Sequence, residues 1–357
     1  MAHIDWLTIL VTALLALSGL LTVYSATFTN GPSIYRREFY WLLIGGVMLA
    51  AAVVVNYSVI ERFAYVIYGS SAALLLSVFF IGKTMSGAKR WIGLGLFNIQ
   101  PSEFAKLALI IALAKYFSSR TTPAKGMGLR ELGAPFIILV VPFLMIARQP
   151  DLGTAIIIWM IFWTMTFTVK VRPRLIAAGA VIAGALSPFA WRMLKGYQKA
   201  RLTSFLDPSL DPQGSGYHIM QSKIAIGSGG FFGKGFTEST QGKLMFLPEH
   251  HTDFIFAVLA EEWGLIGSMF VLALFLTLIM SGLNAASNAK DRFGFLLAYG
   301  ITAMFFWHAA INLGMVTGML PVVGVPLPFI SYGGSFLITC MIGAGLLINV
   351  KMRSFMF

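Results

Sequence analysis

Long apolar runs recur along the whole of this chain, and that recurrence constrains its fold more than any other feature. Ten of them cover approximately residues 6–27, 39–56, 63–82, 97–117, 133–147, 152–170, 174–191, 254–283, 294–317 and 331–350. A helix needs about 20 apolar residues to cross the hydrocarbon of a bilayer, so each run is expected to be one crossing. The fifth contains Pro135 and Pro142, which interrupt it. The expected fold is an all-α, polytopic membrane protein of about ten transmembrane helices, forming one membrane domain over residues 1–357.

Composition agrees with that expectation. Of the 357 residues 57% are hydrophobic and 11% charged, against roughly 25% charged in soluble domains. The missing polar surface implies that lipid is the solvent. A formal net charge of +12 raises nucleic acid as a partner, but no basic run of five or more residues occurs and the cations are scattered between apolar segments, where they meet lipid phosphates. The single cysteine, Cys340, lies inside an apolar run, which excludes a disulfide framework or a thiolate metal cluster. Residues 6–27 continue into a full span without a small-residue cleavage site, so no removable signal peptide is expected.

Orientation follows from the positive charges of the short loops. With the N-terminus inside, cytoplasmic segments hold twelve: Arg62, Lys115, Arg120, Lys125, Arg130, Lys170, Arg172, Arg174, Lys290, Arg292, Lys351 and Arg353. The outer short loops hold six: Arg36, Arg37, Lys83, Lys89, Arg90 and Arg148. Both termini are therefore expected in the cytoplasm, and the one long connection, residues 192–252, is a large extracytoplasmic loop. Within it Ile219, Met220, Ile224 and Ile226 alternate with His218, Gln221, Ser222 and Lys223, the pattern of a short amphipathic helix at the membrane interface.

Several constellations carry candidate chemistry. The glycine-rich stretch GSGGFFGKG at 227–235 invites a phosphate-loop reading. A Walker loop needs Gly where Ser228 stands and Ser or Thr where Gly235 stands, and this stretch faces away from cytoplasmic ATP. Glu249, His250, His251 and Asp253 cluster without the HExxH spacing, and adjacent histidines point apart in either regular structure, so no metal site is assigned. Asp253 opens the eighth run, where an acid suits the dipole of a helix's first turn. Glu261 and Glu262 follow about 12 Å along that helix and off its face, too far to make the paired carboxylates of a retaining glycosidase with it. Glu103 and Lys106, three apart on the fourth run, are able to offset each other as an intramembrane ion pair. Arg148 and Asp151 bracket an outer turn as a surface pair or a contact to lipid phosphate or sugar. Trp91 fits an interfacial anchor.

These residues lie within segments that resemble signatures of the SEDS family (shape, elongation, division and sporulation proteins). The segments are KRWIGLGLFNIQPSEFAK (89–106), RQPDLGTA (148–155), RLTSFLDP (201–208) with GSGYHIMQS (214–222), KLMFLPEHHTDFIFAVLAEEWG (243–264) and PLPFISYGGS (326–335). Their order along most of the chain matches the family, and short termini favour its RodA branch over its FtsW branch. The resemblance implies an inverting peptidoglycan glycosyltransferase that polymerises lipid II into β-1,4 glycan strands on the outer face of the cytoplasmic membrane, for cell elongation and rod shape. It carries the family's essential acid onto Asp253. The substrate cavity maps onto Arg90, Trp91, Glu103, Lys106, Arg148, Asp151, Arg201, Tyr217, Gln221, Ser222, Lys243, His251 and Thr252. It also implies a class B penicillin-binding protein as transpeptidase partner, beside other membrane proteins of the elongation complex.

One carboxylate suffices for such chemistry. It accepts the proton of the attacking sugar hydroxyl, while cations stabilise the departing pyrophosphate. A divalent ion, Mg or Mn, is able to share that work, and no other cofactor is implied. Two alternatives from other classes remain open on the sequence: a transporter that flips lipid II, suggested by intramembrane charges and Pro-broken helices, and a non-catalytic membrane scaffold.

Overall fold

The computed structural model describes residues 5–28, 33–85, 88–94, 97–121, 123, 126–193, 196–207, 214–240 and 251–354. Its helices in chain order are α1 (Trp6–Thr27), α2 (Ser33–Val54), α3 (Tyr57–Arg62), α4 (Ala64–Ile81), α5 (Pro101–Ser118), α6 (Leu129–Arg148) and α7 (Leu152–Phe167). There follow α8 (Pro173–Met193), α9 (Gly196–Leu206), α10 (Ser215–Ser228), α11 (Ile255–Ser287), α12 (Arg292–Val316) and α13 (Gly334–Arg353). Each of the ten apolar runs coincides with a helix. Among the described residues seven are long and apolar enough to cross a membrane: α1, α2, α4, α6, α11, α12 and α13. Helix α7 is apolar but has 16 residues, and the 18 residues of α5 include Glu103, Lys106 and Lys115.

The fourth run does not begin as a helix. Its first residues and those preceding it form a small antiparallel sheet of β1 (Lys83–Met85), β2 (Ala88–Leu94) and β3 (Phe97–Ile99) in that order. Ile92 pairs with Ile99 and Gly93 with Asn98. Helix α5 then starts at Pro101, whose missing N–H belongs to a helix's first turn, where no partner is needed. The sheet's short strands carry Arg90, Trp91 and Asn98 to the mouth of α5.

Burial separates centre from periphery. The most apolar stretches of α12 and α13 are 72% and 83% buried inside the protein, against 22% for α2, α4 and α6, whose remaining side chains face outward as lipid-facing residues do. Helices α2 and α13 approach most closely through small residues. A Cβ on Gly345 would lie 2.6 Å from the Leu49 carbonyl oxygen, and Asn349 Nδ2 donates to the carbonyls of Ala52 (2.9 Å) and Val53 (2.8 Å) at the end of α2.

Helix α11 is broken at Gly264, whose φ of 64° is in the left-handed region that favours glycine. The polar groups released there are taken up by the glycine-rich loop. Leu265 and Ile266 N–H donate to the carbonyls of Gly230 (2.9 Å) and Phe231 (3.2 Å), and Lys234 and Gly235 N–H donate to those of Glu261 (3.0 Å) and Glu262 (3.1 Å). Residues 265–287 rise about 34 Å on their own, enough for the roughly 30 Å hydrocarbon core. Residues 255–263 therefore form a separate segment at the N-terminal end of that crossing.

The amphipathic stretch of the long loop is the helix α10, packed on α11 and α12. Its buried stripe is Gly216, Ile219, Ser222 and Ala225, while Met220 and Ile224 are exposed. The small residues Gly216, Ser222 and Ala225, with Ile219 between them, let this helix lie close to the bundle.

Candidate active site

The chain enters α11 through residues 251–254, and the main chain of this segment is held by three consecutive carbonyls. His251 O accepts the Tyr332 N–H (3.0 Å), Thr252 O accepts the Ser331 hydroxyl (2.7 Å), and Asp253 O accepts Asn312 Nδ2 (2.9 Å). Asn312, fully buried on α12, also donates to Val325 O at 2.7 Å, and Ser331 Oγ accepts Leu327 N–H at 2.8 Å. The extended stretch 317–333 is thereby laced both to α12 and to the segment bearing Asp253. Gly324, at φ 73°, backs the carboxylate: a Cβ there would lie 3.3 Å from Asp253 Oδ2. Asp253 is not the cap of α11, because the N-cap is Phe254, which supplies no side-chain bond.

Asp253 faces a cavity of about 700 Å³, within the range of about 300–1,000 Å³ typical of small-molecule sites. The sheet contributes Arg90, Trp91 and Asn98, and the start of α5 contributes Gln100 and Glu103. Asp151 and Thr154 come from α7, Arg201 from α9, and Arg37 and Trp41 from α2. His251, Thr252, Pro326, Tyr332 and Phe336 close the remainder. Three arginines thus share a cavity with three carboxylates, Glu103, Asp151 and Asp253. At the Tyr332 phenol, burial and then the neighbouring Glu38 carboxylate raise the pKa above its ordinary value against the pull of Arg37, so the wall presents a neutral hydroxyl.

Asp151 caps α7, accepting Thr154 N–H at 3.3 Å and the Thr154 hydroxyl at 3.1 Å. It also accepts Gln100 Nε2 at 3.0 Å and lies 3.5 Å from Arg90 Nη1. Its charged partner is therefore Arg90 on β2, while Arg148, which the sequence brackets with it, is exposed at the end of α6. Glu103 and Lys106 form the intramembrane pair, with Nζ 2.7 Å from Oε2. Glu103 lines the cavity and Lys106, with no solvent exposure, lies behind it.

Of the residues the resemblance assigns to substrate, the cavity gathers Arg90, Trp91, Glu103, Asp151, Arg201, His251 and Thr252 around Asp253. It does not gather Lys106, Arg148, Tyr217, Gln221 or Ser222. Ser222 is buried against α12, donating its hydroxyl to Val316 O at 2.7 Å, and Tyr217 and Gln221 share its helix. Lys243 is outside the described residues. Sequence reasoning missed Arg37, Trp41, Gln100, Tyr332 and the buried Asn312. Gln100 and Tyr332 lie inside the quoted motifs; Asn312 is signalled by a polar residue interrupting an apolar run; Arg37 carries no local signal.

The two carboxylates of α11 are engaged elsewhere. Glu261 accepts Lys234 Nζ (2.6 Å), the Ser239 hydroxyl (2.6 Å) and the Thr240 hydroxyl (2.7 Å), and Glu262 accepts the Ser25 hydroxyl. Among the described residues no group of three or more His, Cys, Asp or Glu side chains is placed to hold a metal ion. Of the cavity's other carboxylates, Asp151 is occupied by Arg90, Gln100 and Thr154, and Glu103 by Lys106. These residues do not fit a metal held by the protein alone.

Comparison with known proteins completes the assignment. A family model described as "Cell cycle protein" and covering FtsW, RodA and SpoVE matches residues 5–355. The chain belongs to this family. Over 98% of its length this FtsW–RodA–SpoVE member is 40% identical to 93% of the peptidoglycan glycosyltransferase MrdB of Escherichia coli K12, a RodA protein. It is 37% identical to 97% of a probable peptidoglycan glycosyltransferase FtsW of Geobacter sp. M18 over the same share. A solved chain of a peptidoglycan synthase complex, described as coordinating polymerization and crosslinking, superposes over the full length of both chains with a TM-score of 0.85 at 28% identity.

Proposed function

We propose that this protein polymerises lipid II by inverting glycosyl transfer on the outer face of the cytoplasmic membrane, with Asp253 as general base and a place on the RodA, elongation side of its family. The observation that carries the reading is the placement of the Asp253 carboxylate at the entry to α11, its segment anchored by three main-chain carbonyls, in a cavity with three arginines. The Asp253 carboxylate takes the proton of the acceptor sugar hydroxyl as that oxygen attacks the anomeric carbon of the donor. The bond from the anomeric carbon to the pyrophosphate breaks, and undecaprenyl pyrophosphate leaves with the electron pair. Arg37, Arg90 and Arg201 supply the positive field for that developing charge, and Trp91 and Trp41 supply apolar faces for sugar rings. Glu103 and Asp151, each neutralised by a cation, hold the walls.

The partner of this site is a class B penicillin-binding protein that cross-links the nascent strand, and the termini lie in the cytoplasm, in keeping with the loop charges. Ten crossings then place the cavity outward.

Asp253→Asn keeps size and most hydrogen bonding but cannot accept the proton. It should fold, retain its melting midpoint, and lose polymerisation by about 10² to 10⁴, the usual cost of removing a general base. Glycan strands made from lipid II by purified wild-type and variant proteins, with the transpeptidase present, measure this. Near-normal polymer from the variant would overturn the assignment and restore the transporter or scaffold.

A further inference from the structure

One ionisable group of the core takes no part in the chemistry above. His308, on α12, is 2% exposed, and its two ring nitrogens have different partners. Nδ1 lies 3.1 Å from the carbonyl oxygen of Pro326, and Nε2 lies 2.9 Å from Lys106 Nζ. A carbonyl oxygen only accepts, so Nδ1 must carry a proton. A second proton on Nε2 would place an imidazolium N–H against an ammonium at 2.9 Å in a site without solvent, an arrangement with two uncompensated cations. The ring is therefore neutral, protonated at Nδ1, and its Nε2 lone pair accepts from Lys106.

The surroundings of Lys106 give this bond its meaning. The ammonium is 2.7 Å from Glu103 Oε2 and 4.8 Å from the centre of the Phe336 ring. With no solvent exposure, it is held between Glu103 Oε2 and the neutral acceptor His308 Nε2. Glu103 faces the cavity in front of it, and Pro326, which orients the ring from behind, also lines the cavity. Pro326 belongs to the same stretch, 317–333, that laces the Asp253 segment in place.

We propose that His308 is a positioning residue: as a fixed Nδ1–H tautomer it seats the Lys106 ammonium, and through it sets the Glu103 carboxylate at the cavity wall in register with the Asp253 segment. The inference rests on the glycosyltransferase reading for its activity readout alone. The tautomer and the seating of Lys106 stand independently of it.

The two nitrogens allow a test by separation. Glutamine places an amide oxygen near the Nε2 position and can accept from Lys106. Asparagine reaches only as far as Nδ1 and can donate to Pro326. Taking His308→Leu as the variant that loses both bonds, polymerisation from lipid II should fall by about tenfold or more, since a 1 Å misplacement at a site can cost about 10². His308→Gln should restore most of that loss and His308→Asn should not, although their melting midpoints are similar. Rescue by asparagine and not by glutamine would overturn the proposal and leave His308 as an anchor of the Pro326 stretch only. Nitrogen NMR of protein labelled in histidine, with His308→Gln identifying the signal, reads the tautomer even if no variant is active. A protonated Nδ1 and bare Nε2 throughout pH 5 to 8 are expected. A protonated Nε2 would refute the seating of Lys106, whereas wild-type protein with this tautomer but no polymerase activity would count against the function and leave the seating intact.

Discussion

Asn312 offers the sharpest test of how the active segment is held. Its Nδ2 serves two carbonyls, the half-buried Asp253 O at 2.9 Å and the buried Val325 O at 2.7 Å. Asn312→Ala removes both donors, and the buried Val325 acceptor left without one costs about 1–3 kcal/mol, with a smaller share from the half-buried Asp253 carbonyl. Asn312→Asp preserves shape. Ionised, it sets a carboxylate against two carbonyl oxygens; protonated, its one O–H serves one of them and leaves the other bare, for at least about 1 kcal/mol. Both variants should melt several degrees below wild type and polymerise at least tenfold more slowly, because Asp253 loses its registration with the cavity. The protein carries its own reporter. Cys340 is its one cysteine and is fully buried, so a fluorogenic thiol reagent in a temperature ramp marks unfolding, and lipid II polymerisation is assayed on the same preparation. Wild-type midpoint and yield in Asn312→Asp would refute the reasoning.

Three further predictions follow from described contacts. Glu103→Ala leaves Lys106 as an uncompensated buried charge, at about 3–5 kcal/mol, and should lower both melting midpoint and activity; a stable but inactive variant would indicate that Glu103 itself contacts the reacting groups. Beyond the start of α1, burial raises the Asp5 carboxyl, but hydrogen bonds from Lys351, 2.8 Å away, and from Thr8 hold it below its ordinary 3.8. Its stabilising share is present above that ordinary value and is lost as pH falls through the lower folded value, so wild type and Asp5→Asn should differ in melting midpoint at pH 6 and converge in strong acid; a constant difference would refute the pairing. Cysteines placed at Thr237 and at Asn288 in a Cys340→Ser background should label from outside and from the cytoplasm respectively, and labelling of both from one side would overturn the orientation.

The helices were legible because lipid imposes one rule on every crossing, and a run of apolar residues reports it without reference to any neighbour. The small sheet was not, since β2 and β3 are short and sit against a Pro-initiated helix whose apolar residues extend the same run. For the cavity, Arg90, Asp151 and Asp253 were legible through the motifs that resemble the family, since each stands in one of those polar segments. Partnership was harder to see. Arg148 is closer to Asp151 in sequence, but strand β2 delivers Arg90 to it, and that requires the fold. His308 and Asn312 stand in the apolar run FFWHAAINLG, and a polar residue there signals a role without naming its partner. Arg37 reaches the cavity only because α2 packs beside α13.

The break at Gly264 divides α11 mechanically. Below it, 23 residues are anchored by the bilayer; above it, residues 255–263 are bonded to the glycine-rich loop on one side and continue into the Asp253 segment on the other. A load applied to the loop would be carried along this short helical segment to the Asp253 carboxylate, and the crossing beyond Gly264 need not bend. Residues 255–263 are thus a coupling arm between the glycine-rich loop and the Asp253 segment, and a protein that grips the loop would have leverage on the cavity without entering it.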